Sequence, residues 1–294
     1  MEKMLRDKKN IALMMLPILV VYVLFVPVPA VTSFAMSLTD WKGLGTPSFV
    51  GLENYIKMFT KDRVFIIAFK NTMKWMAAGL VMQLVTAFLL ALLINSKIKG
   101  RSFFRSIMFM PTTFSAVAVS LIWYFVYHPE IGMINQFIRS IGFEEFNYAW
   151  LRDSRFALYG VLISVTWQWA GYYVVIFLSG LVGIPKELEE AAKIDGANYI
   201  KVVQHIYMPY LKPIFRVVLV LSITSSFKGF GPVFVMTQGG PNNATMLLGL
   251  RMYLKGFGAL EYGYGCAAAV VITLLCVSAT VIVNTLFRKD SIEG

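Results

Sequence analysis

The sequence predicts an all-α polytopic membrane protein built on six transmembrane helices. Hydrophobic residues make up 57% of the chain and charged ones 15%, and the mean hydropathy is +0.66, too oily for a water-soluble domain. Six apolar windows, roughly 11–37, 71–95, 106–127, 157–182, 213–236 and 264–287, are each long enough to cross a bilayer. A polar insert, Gly183 to Pro213, separates the fourth window from the fifth and carries helical rather than loop-like spacing.

Taken in order, the first window follows a basic leader with Lys3, Arg6, Lys8 and Lys9, which marks the N-terminus as cytoplasmic. Its apolar run outlasts a signal-peptide core and lacks a small-residue cleavage site, so it reads as a retained span. Pro17, Pro27 and Pro29 predict that its outer part is kinked or unwound. Next come a polar turn, Thr39 to Gly43, and Phe49-Val50-Gly51-Leu52-Glu53-Asn54-Tyr55, which leads into an amphipathic helix at the interface. The loop at 96–105 holds Lys97, Lys99, Arg101 and Arg105 with no acid, a second cytoplasmic mark. The segment 128–156 contains a short apolar stretch, Ile131 to Ile141, too short to span and expected to lie on the surface. TQGGPNNAT at 237–245 is turn chemistry. Arg288 and Lys289 close the last span, so both termini and the 183–213 insert share the cytoplasmic side. The lysines of 38–70 run against that scheme, but the rule is a statistical bias. The chain divides on this reading into 1–70 (leader, first span, external segment), a five-span core at 71–288 and a tail at 289–294.

The formal net charge of +11 raises nucleic acid as a partner. The basic residues, however, are scattered beside apolar runs with no stripe of interleaved aromatics, and the membrane explains them more simply. Cys266 and Cys276 lie ten helical residues apart, about 15 Å, and cannot pair with each other.

The insert reads as two short helices. Pro185 suits a first turn, where its missing N–H costs nothing, and Glu187, Glu189 and Glu190 crowd the positive end of the dipole. Glu189 and Lys193 stand four apart in the favourable order. Gly196 supplies a left-handed stop and Asn198 a cap for the second helix, on which Tyr199, Val202, Val203 and Ile206 form one apolar stripe. Pro209 and Pro213 are expected to end that helix.

Several chemistries are missing. Gly-Lys never occurs, so there is no phosphate-binding loop of the G-x-x-x-x-G-K-[ST] type. No HExxH, Cys/His cluster or G-x-S-x-G elbow is present, and His128 and His205 are isolated. Neither a catalytic residue nor a metal ligand is therefore assigned.

Glu190-Ala191-Ala192, three residues, Gly196, nine residues, Ile206, one residue, Met208-Pro209 resembles the EAA signature in the membrane subunits of binding-protein-dependent ABC importers. Met208 departs from the usual leucine, a mild apolar exchange. Ala192 to Ala197 (AKIDGA), Gly51 to Tyr55, and Thr237 with Gly239-Gly240-Pro241 look like the forms found in carbohydrate permeases of the maltose and glycerol-phosphate type. Relatives often carry an aspartate after the phenylalanine matching Phe230, where this chain has Gly231-Pro232. The long extracytoplasmic insertion and extra spans of the maltose subunit are also absent.

The resemblance implies a type I ABC importer permease fold in a bacterial cytoplasmic membrane, with no ATPase activity of its own. It implies a second homologous permease, two ATPase subunits that bind ATP and Mg, and an extracytoplasmic solute-binding protein. It makes the insert the coupling element, with Glu190, Ala191, Ala192, Asp195, Gly196, Ile206 and Pro209 as its contact or turn residues.

Polar and aromatic groups inside spans are candidates for the solute path, because lipid disfavours them. Span four offers Trp167, Gln168, Trp169, Gly171, Tyr172 and Tyr173; span five offers Ser222, Thr224, Ser225, Ser226 and Lys228. Aromatic faces stack on sugar rings, while amides and hydroxyls bond their OH groups. The same residues also suit interfacial belts and helix packing, and Gln83 and Tyr124 fit packing better. Lys228 would suit an acidic or phosphorylated solute as well. A stand-alone secondary transporter is the rival reading, but it calls for intramembrane acids, which are nearly absent from the six spans.

Overall fold

The computed structural model describes residues 8–96, 99–227 and 229–287, with side chains from Ile11 onward. Lys3, Arg6, the side chains of Lys8 and Lys9, Lys97, Lys228, Arg288, Lys289 and the tail at 289–294 lie outside the described residues. In chain order the helices are α1 (Lys8–Phe25), α2 (Pro27–Ser37), α3 (Glu53–Thr60), α4 (Arg63–Asn95), α5 (Arg101–Phe109), α6 (Ala116–Val126), α7 (Met133–Ser140), α8 (Ala157–Val182), α9 (Lys186–Ile194), α10 (Tyr199–Val202), α11 (Met208–Tyr210), α12 (Lys212–Phe227), α13 (Phe230–Met236), α14 (Leu248–Tyr253) and α15 (Tyr262–Leu286). Two π turns, Val203–Tyr207 and Leu254–Gly258, follow α10 and α14. Among the described residues there is no strand, only an isolated bridge between Thr39 and Phe49.

Four helical stretches are long and apolar enough to cross a bilayer: Ile11–Ser37, Arg63–Asn95, Ala157–Val182 and Tyr262–Leu286. Two bent pairs, Arg101–Thr113 with Ala116–Val126 and Tyr199–Tyr210 with Lys212–Phe227, bring the count among the described residues to six. The third expected span is thus not one rod: its arms meet at 101°. Pro111 sits in a 3₁₀ turn, Phe114 and Ser115 are extended, and the Ser115 hydroxyl accepts from Ala118 N to start α6. The first span stays helical through its prolines, with one interruption at Val26 before Pro27, whose ring disfavours helical backbone in the residue ahead of it. α4 begins at Arg63, eight residues before the expected 71. The hairpin's second arm, Tyr199–Tyr210, ends between Pro209 and Pro213 as expected: the chain bends by 69° there, and Pro213 lies in the first turn of α12, where no N–H is needed.

The chain forms two compact units, 1–63 with 252–273 and 64–251 with 274–294. In the first, the apolar side chains of α1 are exposed, as expected of a helix that meets lipid or another chain. Asn54, buried on α3, donates to the carbonyls of Ser37 (2.9 Å) and Thr39 (2.8 Å) and so fixes the turn that the sequence marked. Gly263 meets the Thr39 carbonyl so closely that a Cβ would stand 2.0 Å from it. Glu261 accepts from Lys57 (2.9 Å) and Lys255 (2.7 Å). Burial raises its carboxyl pKa, but the two ammonium groups outweigh that and hold it below the ordinary range.

In the second unit α4 buries Thr72, Trp75, Gly79, Gln83, Ala87, Ala91 and Ile94, the three- and four-residue spacing of one helix face. Ala87 and Ala91 join Phe177, Leu178, Leu181, Leu211 and Val218 in a single cluster, and Phe88, Phe177 and Phe215 pack ring on ring. Lipid is as apolar as these side chains, so close approach through small residues, not water exclusion, holds such helices together. Gly180 shows this: a Cβ there would stand 2.5 Å from Leu211. Beyond α6, the surface helix α7 is anchored by Asn135, which is fully buried. Its amide donates to Pro129 O (2.8 Å) and Tyr148 O (2.9 Å) and accepts from Trp150 Nε1 (2.7 Å). Asn71 of α4 does the same for the turn at 237–247, donating to Asn243 O (3.0 Å) and Met246 O (3.2 Å).

Candidate functional site

The insert folds as a helical hairpin. Pro185 is the residue before α9 rather than its first, and Glu187 and Glu189 occupy the first turn. Gly196 takes φ +76°, the left-handed conformation that L side chains resist, with nothing within 4 Å of where a Cβ would stand. The Asn198 side chain accepts from Lys201 N at 2.9 Å, the expected cap. Val202 is buried, and Val203, Ile206, Ala192 and Ala197 pack against the cluster of Leu178, Leu181, Ile184 and Leu211. The stripe thus anchors the hairpin to the ends of this chain's own helices. Tyr199, its fourth member, is exposed.

Two tyrosines add polar ties that the sequence did not announce. Tyr207, 4% exposed, donates to Glu189 Oε2 at 2.9 Å, and Glu189 Oε1 accepts from Lys193. Burial, then the adjacent carboxylate, push the Tyr207 phenol above its ordinary pKa, so it stays a donor. Tyr210 donates to Gly183 O at 3.0 Å, closing the hairpin onto the end of α8. The π turn Val203–Tyr207 ends on Tyr207; a wider turn of this kind needs a local reason and is frequent at functional sites. Glu190, Ala191, Asp195 and Gly196 stay exposed, Pro209 is exposed on the far arm, and Ile206 and Ala192 face inward. The hairpin therefore has a packed base and a bare edge.

The expected path residues fall on different sides of α8. Trp169 and Tyr172 are exposed and meet edge to face at 5.9 Å. Trp167 lies about 200° round the helix from Trp169 and contacts Trp123 at 5.8 Å. Gln168, 2% exposed, is spent on Phe114 O at 3.1 Å. Tyr173 is buried with its hydroxyl toward Ser225 and Ser222. Ser225 is exposed and Ser226 buried, both donating to Ser222 O, while Ser222 donates to Gln83 at 2.5 Å. Lys228 lies outside the described residues. The structure thus brings Tyr173 and Ser225 together, with Trp169 and Tyr172 beside them on α8, and separates Trp167 from them.

Sequence reading missed the elbow of the broken span. Gly171 is pressed against it: a Cβ there would stand 2.0 Å from Met108 O. Beyond that contact Thr113, Phe114 and Ser115 are exposed, in backbone that is not helical from Phe114 to Ser115. Non-helical backbone inside a span survives only against protein or a watery cavity. Pro111-Thr112-Thr113 with Ser115 was the available signal, a proline followed by a capping residue inside an apolar run.

A family model described as "Binding-protein-dependent transport system inner membrane component" matches residues 84–290. The arabinooligosaccharides transport system permease protein AraP of Bacillus subtilis is 33% identical over 281 residues, 95% of this chain and 88% of that protein. The multiple sugar-binding transport system permease protein MsmF of Streptococcus mutans is 32% identical, covering 92% of each. A crystal structure of a bacterial ABC transporter involved in the import of the acidic polysaccharide alginate matches all of this chain and 99% of its own, with a TM-score of 0.86 at 21% identity, a likeness of fold. The signature hairpin, the helical spans and these matches together show that the chain is a multi-pass membrane protein and belongs to the family of binding-protein-dependent transport system inner membrane components.

Proposed function

We propose that this chain is the transmembrane subunit of an ABC importer. It forms half of the path for an oligosaccharide and couples passage to ATP hydrolysis by a separate subunit. The observation that carries the reading is the hairpin: its base is buried in this chain's own core while Glu190, Ala191 and Asp195 stand exposed along one edge. A surface held so firmly from below transmits force when a partner grips it from outside. The partner is an ATPase chain, two of which hold ATP and Mg. The other half of the path is a second, similar permease, and an extracytoplasmic solute-binding protein delivers the solute. Both termini and the hairpin lie on the cytoplasmic side, in keeping with the basic loop at 96–105.

The sugar reading is supported by the names of AraP and MsmF and by the aromatic and hydroxyl groups of α8 and α12. An acidic saccharide is the second reading. It is favoured by Lys228 in the sequence after α12 and by the alginate importer with the same fold, which is also known in complex with an alginate-loaded periplasmic protein.

The test is co-purification and transport. An ATPase chain should come down with the wild type, and labelled oligosaccharide should enter vesicles only with ATP. Glu190→Lys together with Gly196→Val should cut uptake by about tenfold or more while the chain still reaches the membrane. Uptake unchanged by these replacements would overturn the coupling role. ATP-independent uptake would overturn the importer.

A further inference from the structure

The first compact unit holds a hollow that the proposed path does not use. It leaves about 360 Å³ between the turn at 40–42, α3 and the start of α15, toward the lower end of small-molecule sites. All of its lining belongs to that one unit.

Its floor is a closed set of charges. Glu261 accepts from both Lys57 and Lys255, and each ammonium group stands 5.6 Å from the ring of buried Tyr264. The Tyr264 hydroxyl donates to Asp62 Oδ2 at 2.6 Å, so the floor is spent on itself. The wall differs: its polar groups are fixed but unspent. Asn54, 9% exposed, gives its Nδ2 hydrogens to Ser37 O and Thr39 O, and its Oδ1 accepts from no described residue. Glu53 stands exposed at the start of α3, with no ion pair or side-chain hydrogen bond among the described residues. Asp40 is set in place by Ser48 N at 2.9 Å, and the Ser48 hydroxyl and N–H hold its carboxyl below the ordinary range. Trp41 is braced from behind. Its carbonyl accepts from Gly263 N at 3.0 Å and its ring packs on Tyr262 at 5.2 Å, while its indole N–H has no acceptor among the described residues.

Charge narrows the ligand. Three carboxylates, Asp40, Glu53 and Glu261, meet three ammonium groups, Lys42, Lys57 and Lys255, around the hollow and its floor. A cation meets the lysines and an anion meets the two unpaired carboxylates, so neither gains on balance. Acceptors outnumber donors on the wall, which suits an uncharged ligand that brings its own O–H groups.

We propose that this hollow binds a neutral sugar ring, whose hydroxyls donate to Asp40, Glu53 and Asn54 Oδ1 and accept from the Trp41 N–H. Only the source of the ring rests on the importer reading: there it is one unit of the carried oligosaccharide.

The test is saturation-transfer NMR on the full chain, with the subunits that accompany it, in nanodiscs without ATP or binding protein. Methyl glucoside is the probe. The wild type should bind it, and should bind methyl glucuronide and spermidine several-fold more weakly. Glu53→Ala, whose carboxylate has no partner to lose, should weaken the sugar by about tenfold, and Trp41→Phe, which keeps a ring against Tyr262, by about threefold. Tyr173→Phe with Ser225→Ala should leave it unchanged. Unchanged binding in both wall variants, or none in the wild type, would overturn the site. Equal binding of spermidine or the glucuronide would overturn the neutral ligand. A signal lost only in the Tyr173 and Ser225 variant would put the sugar in the path and not in the hollow. No uptake enters this measurement, so a failure of ATP-driven uptake with the sugar still held would count against the importer alone.

Discussion

The hairpin at 183–213 and the segments that we assign to the opposite side of the membrane are held by different means. Each of the latter is held by a buried asparagine whose amide donates to two backbone carbonyls: Asn54 for the turn at 37–39, Asn71 for 243–246, and Asn135 for 129–148, where Arg139 also donates to Pro129 O and Phe146 O. Such clamps fix backbone to backbone and leave little play. The hairpin instead rests on an apolar stripe, single hydrogen bonds from Tyr207 to Glu189 and from Tyr210 to Gly183 O, and a capped turn, with its outer edge uncovered. An apolar base tolerates small displacement as a body, whereas a bidentate clamp fails when either bond stretches. The difference suits the coupling role proposed for the hairpin.

The sharpest way to break this comparison is Asn135→Ala. It removes one donor each from Pro129 O and Tyr148 O, which keep Arg139 and Trp150 N, leaves Trp150 Nε1 without its acceptor, and should cost about 2 kcal/mol, read as a lowered midpoint of thermal unfolding and early protease cleavage within 128–156. Loss of the midpoint without that local cleavage would mean the asparagine is not a local clamp. Tyr207→Phe removes one hydroxyl from the hairpin and keeps the ring. Stability should fall by about 1 kcal/mol, while solute moved per ATP hydrolysed drops further than ATPase itself. A proportional fall in both would sink that coupling role. The smallest effect concerns Glu261. Its folded pKa lies below the unfolded value, so its contribution is fully present above the ordinary carboxylate range and fades as pH falls through the folded value. Glu261→Gln should flatten stability against pH below about 4, and nowhere else.

Local chemistry was legible in the sequence and distant pairing was not. Asn198 caps because its neighbours three residues on are its partners, and Gly196 turns because its own backbone requires it. The stripe Tyr199, Val202, Val203 and Ile206 announces a packed face by spacing alone, and all but Tyr199 pack inward. Tyr207, 18 residues from Glu189, leaves no such mark, nor does Asn71, which reaches 172 residues to Asn243. The elbow at Phe114 was hidden for another reason. Hydropathy counts apolar content and is blind to direction, so 106–127 reads as one rod although its arms diverge by 101°. Among the path residues, Trp-Gln-Trp does not say which ring shares a side with Tyr172, and Trp167 and Trp169, both exposed, fall on opposite sides.

The π turn at Val203–Tyr207 has a consequence for α12. A turn of this kind holds one residue more than an α turn, and each residue advances the helix by about 100°. The extra residue therefore acts as a phase offset between the arm that presents the hairpin's edge and the span that presents Ser225. A chain one residue shorter at this point would keep every apolar contact before it and turn the serine face of α12 away from Tyr173.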